Sequence, residues 1–487
     1  MSGRHSVLTI AAAAVLGAAP CGAQIAEAPP ASPQARAPAS AAPAQPLVVA
    51  LPYTALHARQ APAAAAPAGQ TAPGQTATPP QPQSLTLVEA EKLALQNHPQ
   101  IQIAEHRAAF AAAQVQQAQS AYYPLVSGDV TGVDSQENSR VTAGPLNSPH
   151  TFTKFGTGAY LNQLITDFGR TPALVRSFNQ HARAQQAGVI ASRADILLQL
   201  HEAFFASLKS KALLVVARET VRDRQLVADQ VGVMAQNKLK SGLDVAFASV
   251  DLSQAQLLLI QAQNDLQASY ARLSTALGFR DPRDFDLTEP PAMPPPPPDF
   301  TPVLQEAFAN RPELAGQRFE VSSAKSYSTA ERDLWFPTLG AMGAAGVTPY
   351  RDEALNSERY AAIGFNLNIP VFNGHLFGAL HTQANEEYRA QQQFLRDLED
   401  RIARDVRTAW LNANSAFQRL AVTEQLLNEA KLAEDLAASR YRMGLSSIIE
   451  LTQAQLNLTQ AQIAEASAKY DYQTAFSELL YQQGDLR

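Results

Sequence analysis

Large apolar residues in the second half of the chain recur with a helical period. Between Ala379 and Met443 there are 65 residues without proline or glycine, a length that as a helix would reach roughly 100 Å. The apolar series steps by 3, 4, 4, 3, 4, 4 and 3 residues, a period of eleven that suits a nearly straight helix. Its members are Leu395, Leu398, Ile402, Val406, Ala409, Ala413, Phe417 and Leu420. A helix this long predicts an extended assembly.

Just before this helix the apolar pattern changes to a period of two. The apolar members of this alternation are Ala361, Ile363, Phe365, Leu367, Ile369 and Val371. A run of about eleven residues with one apolar face matches a tilted strand that crosses a bilayer. We therefore predict membrane strands at about 338–348 and 360–372, around a polar loop at Tyr350–Glu358. The first half of the chain offers strands at about 125–135 and 155–167, around a longer loop.

The ordered part of the chain contains an internal sequence repeat. Asn97-His98-Pro99 returns as Asn310-Arg311-Pro312 at an offset of 213 residues, and Asp244-Val245 returns as Glu450-Leu451 at an offset of 206. These sustained offsets predict two structural repeats, 84–278 and 302–487, joined by a linker at 279–301 that contains the run Pro294–Pro298. Each repeat is predicted to be a helix, a β-hairpin, a long helix, a turn and a second helix.

Helix lengths then constrain the arrangement. Two half-length helices laid end to end would equal one long helix. The linker and both ends of the ordered chain are therefore expected at mid-height. The long helices are predicted at Pro172–Asn237 and Leu376–Arg442, and the half-length helices at Leu87–Tyr122, Asp244–Leu277, Pro302–Trp335 and Ile448–Gln482.

Four membrane strands cannot close a barrel, and open strand edges are not tolerated in lipid. Two copies would give eight strands, which is too narrow for an open channel, whereas three copies would give twelve. The predicted fold class is mainly α with a membrane β-barrel. It is a trimeric, twelve-stranded barrel that an α-helical tube continues.

The N-terminal residues predict export. Arg4 and His5 precede an apolar run and small residues, so residues 1–23 are predicted to be a signal peptide. Lipidation at Cys21 is the alternative, although Ala18-Ala19-Pro20 departs from the lipid-attachment pattern. Residues 24–83 hold thirteen prolines and predict a disordered leader. After the signal, no run is expected to reach the roughly 20 apolar residues of a membrane-spanning helix.

Composition argues against several other classes. Charged residues are 17 % of the chain and the formal net charge is −6 without a basic block, so no nucleic-acid partner is expected. Cys21 is the single cysteine, and no histidine has a ligand residue three or four positions away. Neither a metal nor a cofactor is therefore expected. The chain has no glycine-rich phosphate loop and no nucleophile-elbow sequence, which argues against an enzyme.

The duplicated pattern over residues 85–484 resembles the TolC family of outer-membrane efflux channels. The resemblance includes Phe372-Asn373-Gly374, echoed at Asp167-Phe168-Gly169, and the turn motif Tyr441-Arg442-Met443-Gly444-Leu445-Ser446. It implies a homotrimer in the outer-membrane lipid that extends into the periplasm. It also implies docking onto a periplasmic adaptor driven by an inner-membrane transporter of the RND or ABC type.

The turn after each long helix is the first candidate site. A glycine there lets the chain reverse between antiparallel helices. By the resemblance, Arg442, Met443, Gly444, Leu445 and Ser446 form an adaptor-docking tip. In the first repeat Lys238 and Leu239 occupy the matching positions, with a glycine only at Gly242. That turn is therefore a weaker candidate, or one with a different geometry.

Acidic residues just beyond the turns are the second candidate site. Asp244 and Glu450 each open a returning helix, where the helix dipole favours a carboxylate. By the resemblance they would ring the closed periplasmic gate, held by ion pairs, with Arg440 and Arg442 as the nearest cations. Three copies of Glu450 would favour cations over anions.

Several functional alternatives remain open at this point. The leading hypothesis is the passive exit duct of a tripartite efflux system, opened when an adaptor docks. The alternatives are the outer-membrane component of type I protein secretion, or a periplasmic helical scaffold or adaptor that forms no channel. The residues do not identify what is transported.

Overall fold

Two helices of equal length dominate the fold. In this computed structural model, which describes residues 84–134, 141–143, 146–148, 153–351 and 357–486, each long helix has 67 residues. Within those ranges the helices are α1 Leu87–Asn97, α2 Pro99–Gln119, α3 Arg170–Gln236, α4 Gly242–Ala276, α5 Phe300–Asn310, α6 Pro312–Arg332, α7 Leu376–Arg442 and α8 Ile448–Gln483. The strands are β1 Ser84–Leu85, β2 Leu125–Val133, β3 Val141–Ala143, β4 Leu146–Ser148, β5 Lys154–Thr166, β6 Asp286–Leu287, β7 Thr338–Arg351 and β8 Arg359–Asn368. The predicted signal peptide, the leader and Cys21 lie outside the described residues.

The helix that opens each repeat is broken, so the prediction of one continuous helix at 87–122 and another at 302–335 was wrong. His98 separates α1 from α2, and Arg311 separates α5 from α6; both residues have extended backbone. Each precedes a proline, Pro99 or Pro312, whose ring disfavours the helical conformation of the residue before it. His98 then caps α2, since its Nδ1 accepts a hydrogen bond from the Gln100 amide at 3.3 Å.

The eleven-residue series is buried where α7 packs on its neighbours. Ile402, Val406, Ala409 and Ala413 have at most 1 % of their surface exposed and form a core with Val303, Ala307, Leu314 and Leu479. Phe417 is the exception, because 39 % of it is exposed. The period therefore predicted which face of α7 packs against other helices, but not the position along α7 at which that face becomes exposed.

The four long strands form one antiparallel sheet in the order β2-β5-β7-β8. The strand at 360–372 was predicted too long: β8 ends at Asn368, two residues before Pro370, which cannot donate to a strand ladder. β7 is longer than predicted and ends at Arg351. The described residues of the first-repeat loop also contain the small hairpin β3–β4, which the sequence did not predict.

The linker between the repeats packs at mid-height, as the helix lengths required. β6 in the linker pairs in parallel with β1 at the start of the described chain. Farther along, the Trp410 indole nitrogen donates to the Pro297 carbonyl at 2.9 Å. Gly278, just after α4, abuts Asn97 at the α1–α2 junction, and Gly484, just after α8, abuts Asn310 at the α5–α6 junction. Both glycines have positive φ, and an added Cβ would lie 2.9 Å from the facing backbone carbon.

Helix α4 is more apolar than expected. By length and composition it could cross a membrane, so the expectation of no such run was wrong. Small residues explain the packing: Ala248, Ala255 and Ala262 are buried. Several larger apolar side chains of α4 remain exposed in this single chain, namely Leu243, Phe247, Val250, Leu257 and Ile260.

Candidate functional site

The turns at the ends of α3 and α7 have the same backbone geometry. After α7, Gly444 has a φ of +74°, its amide donates to the Tyr441 carbonyl at 3.1 Å, and the Leu445 amide donates to the Arg440 carbonyl at 2.9 Å. After α3, Lys238 has a φ of +58° and the Leu239 amide donates to the Met234 carbonyl at 2.9 Å. Both turns are Schellman caps, in which a left-handed residue ends the helix. The alternative of a different geometry at the first turn was wrong.

The first turn adopts this geometry with a lysine where the second has glycine. A left-handed conformation costs a residue with a Cβ roughly 1–2 kcal/mol. The surrounding hydrogen bonds hold Lys238 in that conformation. The leucine after each left-handed residue is strongly exposed, with 73 % of Leu239 and 66 % of Leu445 accessible to solvent. Met443 is also exposed, so both turns present apolar side chains at the end of the helices.

The two acidic residues beyond the turns have different partners. Asp244 belongs to a capping box: it accepts hydrogen bonds from the Ser241 hydroxyl at 2.7 Å and from the Ser241 amide at 2.9 Å. Both bonds lower the pKa of Asp244, and the bond from the hydroxyl has the larger effect. Ser447 caps α8 in the equivalent way, but the Glu450 carboxylate turns away towards α7.

Glu450 forms an ion pair across the second turn. Its Oε1 lies 3.4 Å from Arg440 Nη1, and about half of each side chain is exposed. Arg442, the other predicted cation, bonds back to its own helix at the Ala438 carbonyl and the Ser439 hydroxyl. The structure thus brings Arg440 and Glu450 together and directs Arg442 elsewhere.

Tyr441 joins the two helix pairs at this level. It is only 6 % exposed and packs in one core with Val231 and Ala248 of the first pair and Leu451 of the second. The Lys240 ammonium lies 4.0 Å from the centre of its ring. Burial, and then the charge of Asp244, raise the pKa of Tyr441. Its hydroxyl has no hydrogen-bond partner among the described residues.

Sequence reasoning assigned no role to Tyr441 or Lys240. Tyr441 begins the quoted turn motif, which was the available signal. Lys240 follows Lys238 by two residues and matches Ser446 of that motif, so the motif shows no lysine there. Only the packing of the two helix pairs against each other brings Lys240 to the tyrosine ring.

The sheet at the other end of the long helices has two chemically different faces. On one face the apolar residues of β8 line up with those of the neighbouring strands, since Ile363 pairs with Gly343, which pairs with Leu161, which pairs with Val126. On the opposite face lie polar and small residues, namely Tyr360, Asn366, Thr338, Gly346, Tyr160, Asn162, Ser127 and Asp129. Alternation along each strand gives one mainly apolar and one mainly polar surface, although Leu125 and Met342 lie on the polar face and Gln163 lies on the apolar face.

No metal centre is found in the described part of the chain: no group of three or more His, Cys, Asp or Glu side chains there is arranged to hold an ion. The buried histidine His201 instead bonds Glu91 through Nε2 at 2.8 Å and Ser477 through Nδ1 at 3.1 Å. These bonds tie α3 to α1 and to α8, so this histidine is part of the packing.

Comparison with known proteins agrees with this architecture. The chain is 24 % identical over 373 residues to the outer membrane efflux protein BepC of Brucella suis, covering 75 % of this chain and 78 % of BepC. It is 22 % identical over 420 residues to the alkaline protease secretion protein AprF of Pseudomonas aeruginosa, covering 83 % and 85 %. These relatives are efflux and secretion proteins rather than enzymes.

Solved structures share the fold. A CusC structure superposes with a TM-score of 0.72 at 17 % identity, covering 83 % of this chain and 93 % of that one. The outer membrane protein VceC of Vibrio cholerae superposes with a TM-score of 0.70 at 17 % identity, covering 82 % and 96 %. A profile of the outer membrane efflux protein family matches residues 91–279 and 303–482 and thus both repeats. The resemblance that the sequence showed is confirmed: this chain belongs to the outer membrane efflux protein family, and it is an outer-membrane protein that extends into the periplasm.

Proposed function

We propose that the protein is the exit duct of a tripartite efflux system. It acts as a homotrimer whose strands form one shared barrel in the outer membrane and whose helices form a tube through the periplasm. The duct is passive, and an adaptor that docks at the tip opens it.

The observation that carries the proposal is the open sheet. β2 and β8 each have a partner on one side only in the described part of the chain, although both strands are long. An open edge leaves backbone donors and acceptors unpaired, which lipid does not tolerate. Pairing β8 of one copy with β2 of the next satisfies both edges, and four strands from each of three copies give a barrel of twelve.

The distribution of apolar residues supports a membrane location for the sheet. Ile363, Phe365 and Leu367 on the apolar face are 55–83 % exposed in this single chain. Exposed aromatic residues flank this band, with Phe155 and Tyr350 at the loop end and Tyr123 and Trp335 at the helix end. Aromatic belts at both interfaces are typical of outer-membrane barrels.

The helices support a tube made of several copies. The exposed apolar side chains of α4 recur at helical spacing, and α7 exposes Val422, Leu426, Leu432 and Leu436 at about the same height. An apolar stripe of this kind is a contact surface for another helix. Neighbouring copies would cover it, which accounts for the presence of so apolar a helix in the periplasmic tube.

The tip supports the docking step. Leu239, Met443 and Leu445 expose apolar surface at the periplasmic end, beside Lys238, Arg442 and Ser446. Such a surface suits a helical hairpin of an adaptor, which would bury the leucines. The adaptor and an inner-membrane transporter of the RND or ABC type are accordingly the proposed partners.

The acidic residues support a gate just above the tip. The Arg440–Glu450 pair holds α7 to α8, while Asp244 lies close enough to Tyr441 to act on it electrostatically across the two helix pairs. Movement of one pair against the other would disturb both contacts. In a trimer, Glu450 would contribute three negative charges around the entrance.

A second function is favoured by one relative. AprF is named for alkaline protease secretion, and the match covers more of this chain than the match to BepC does. Type I protein secretion is therefore the alternative. A periplasmic scaffold without a channel is disfavoured, because the chain has the four-stranded sheet and matches the efflux family in both repeats.

The proposal is tested by the mass of the detergent-purified protein and by its conductance in planar bilayers. A trimer that shifts on heating in a gel and forms cation-preferring pores supports it. A monomer in mild detergent, or a trimer that never conducts even with the gate residues substituted, would contradict it. Co-purification of the inner-membrane transporter then separates efflux from protein secretion.

A further inference from the structure

Tyr360, Gly346, Gly158 and Asp129 form one row across the polar face of the sheet. They are consecutive register partners on β8, β7, β5 and β2. The two inner positions are glycines, so only backbone lies between the tyrosine at one end of the row and the carboxylate at the other. Tyr160 lies on the same face, two residues after Gly158 on β5, and pairs with Ser127 on β2.

Tyr360 lies over both glycines. A Cβ added at Gly346 would meet the Tyr360 hydroxyl oxygen at 2.5 Å and its Cζ at 2.6 Å, and one added at Gly158 would also strike the hydroxyl. Tyr160, two residues after Gly158 on β5, lies on the same face of the sheet. Two tyrosines thus lie on one face beside Gly158, and each keeps 39 % of its surface exposed.

Asp129 completes the cluster. It pairs with Gly158, over which the Tyr360 hydroxyl lies, and its Oδ2 accepts a hydrogen bond from the Thr131 hydroxyl at 2.5 Å. No lysine or arginine neutralises Asp129 in the ion pairs of the described residues. A carboxylate beside two exposed aromatic rings is suited to an organic cation, since the rings attract the positive charge and the apolar groups around it.

We propose that Asp129, Tyr160 and Tyr360 form a binding site for organic cations on the inner wall of the barrel. The inference rests on the proposed function, because the polar face lines water only if the sheet closes into a barrel with its apolar face in lipid. Three copies of the site would then lie at one level near the outer mouth. There they would retain amine or quaternary ammonium compounds as they leave.

A purely structural role is the competing explanation. Tyrosines commonly cover glycines on a sheet, and Tyr360 would do so whether or not it binds anything. That role requires the ring but not the charge of Asp129. Comparing variants that remove the charge with variants that remove the ring therefore separates the two explanations.

The experiment uses the full-length trimer in planar bilayers, with tetraethylammonium as the probe added on the side of the β7–β8 loop. The concentration that reduces the current by half is measured in the parent and in four variants. In Asp129→Asn and in Tyr360→Leu we expect it to rise about threefold or more. In Tyr360→Phe, which keeps the ring, and in Ser127→Ala, a control on the same face, we expect values close to that of the parent.

The outcomes are distinguishable from failure of the channel itself. A parent that forms no pores would overturn the proposed function and this inference with it. A conducting parent whose block by tetraethylammonium is the same in Asp129→Asn and Tyr360→Leu would overturn the site alone. If only Asp129→Asn weakens the block, the carboxylate attracts cations without help from the aromatic rings, and the proposed aromatic site is refuted. Heat-modifiability of each variant trimer verifies that it has assembled.

Discussion

Arg440 Nη1 lies 3.4 Å from Glu450 Oε1, across the turn that joins the long helix α7 to α8. The pair is partly exposed, and exposed pairs are worth at most about 1 kcal/mol in stability. Its proposed effect is therefore on the gate rather than on folding. Asp244, at the equivalent position in the first repeat, is held by Ser241 in its own helix cap. The two repeats thus use the same position differently.

The first prediction concerns this pair. In Glu450→Ala we expect a higher resting conductance, because α7 and α8 lose their link, and a weaker preference for cations, because three charges leave the entrance. Single-channel recordings and reversal potentials in a salt gradient measure both quantities. Asp244→Asn is the matched control: it also removes three charges, but that carboxylate does not pair across the turn, so we expect a smaller change in resting conductance. A Glu450→Ala channel that equals the parent in conductance and selectivity would remove Glu450 from the gate.

The second prediction concerns the first turn. Lys238→Gly should stabilise the protein by about 1 kcal/mol, because glycine adopts the left-handed conformation without strain. Gly444→Ala, the reverse exchange at the second turn, should destabilise it by a similar amount. Both effects are measured as shifts in the temperature at which the trimer loses its helical circular dichroism. Equal melting of Lys238→Gly and the parent would show that the lysine is not strained.

A third prediction concerns His181 on α3, whose Nδ1 lies 2.8 Å from Glu320 Oε1 on α6. The hydrogen bond to Glu320 raises the pKa of His181. Because the folded-state pKa lies above the unfolded value, the stabilisation is fully present below about pH 6.5 and is lost as the pH rises through the folded pKa. We expect the trimer to melt at a higher temperature at pH 6 than at pH 8.

The matched variant for this pH effect is Glu320→Gln, which removes the charge but keeps the shape. It should return the His181 pKa towards its ordinary value and flatten the pH dependence. An unchanged pH dependence in Glu320→Gln would assign the effect to another group. Histidine NMR signals, compared with those of His181→Gln, give the pKa directly.

The fourth prediction concerns the junction between β5 and α3. The buried Asp167 accepts hydrogen bonds from the Thr171 amide at 2.6 Å and the Thr171 hydroxyl at 2.5 Å. Asp167→Ala should destabilise the junction by about 1–2 kcal/mol, because the donors at the start of α3 lose their acceptor. Asp167→Asn should recover part of the loss. Hydrogen exchange at the first turn of α3 is the measurement, and protection equal to that of the parent would contradict the prediction.

Local sequence signals determined the elements and their order. The eleven-residue period predicted α7, the period of two predicted β8, and the repeated offsets predicted a second copy of each. These signals are readable because apolar burial imposes its period directly on the chain. Pro99 and Pro312 were readable too, since each proline restricts the residue before it, yet the breaks they cause were not predicted. The spacing of Ser241 and Asp244 is also typical of a capping box.

Only the tertiary structure decided which side chains meet. Arg440 and Arg442 are both near Glu450 in sequence, and the helical rotation between them directs one to the acid and the other back to its own helix. Tyr441 meets Lys240 because two helix pairs pack together, and Tyr360 reaches Gly158 because three strands align in register. Periodicity along one chain fixes which face is buried, but partners far apart in sequence depend on the packing of whole elements.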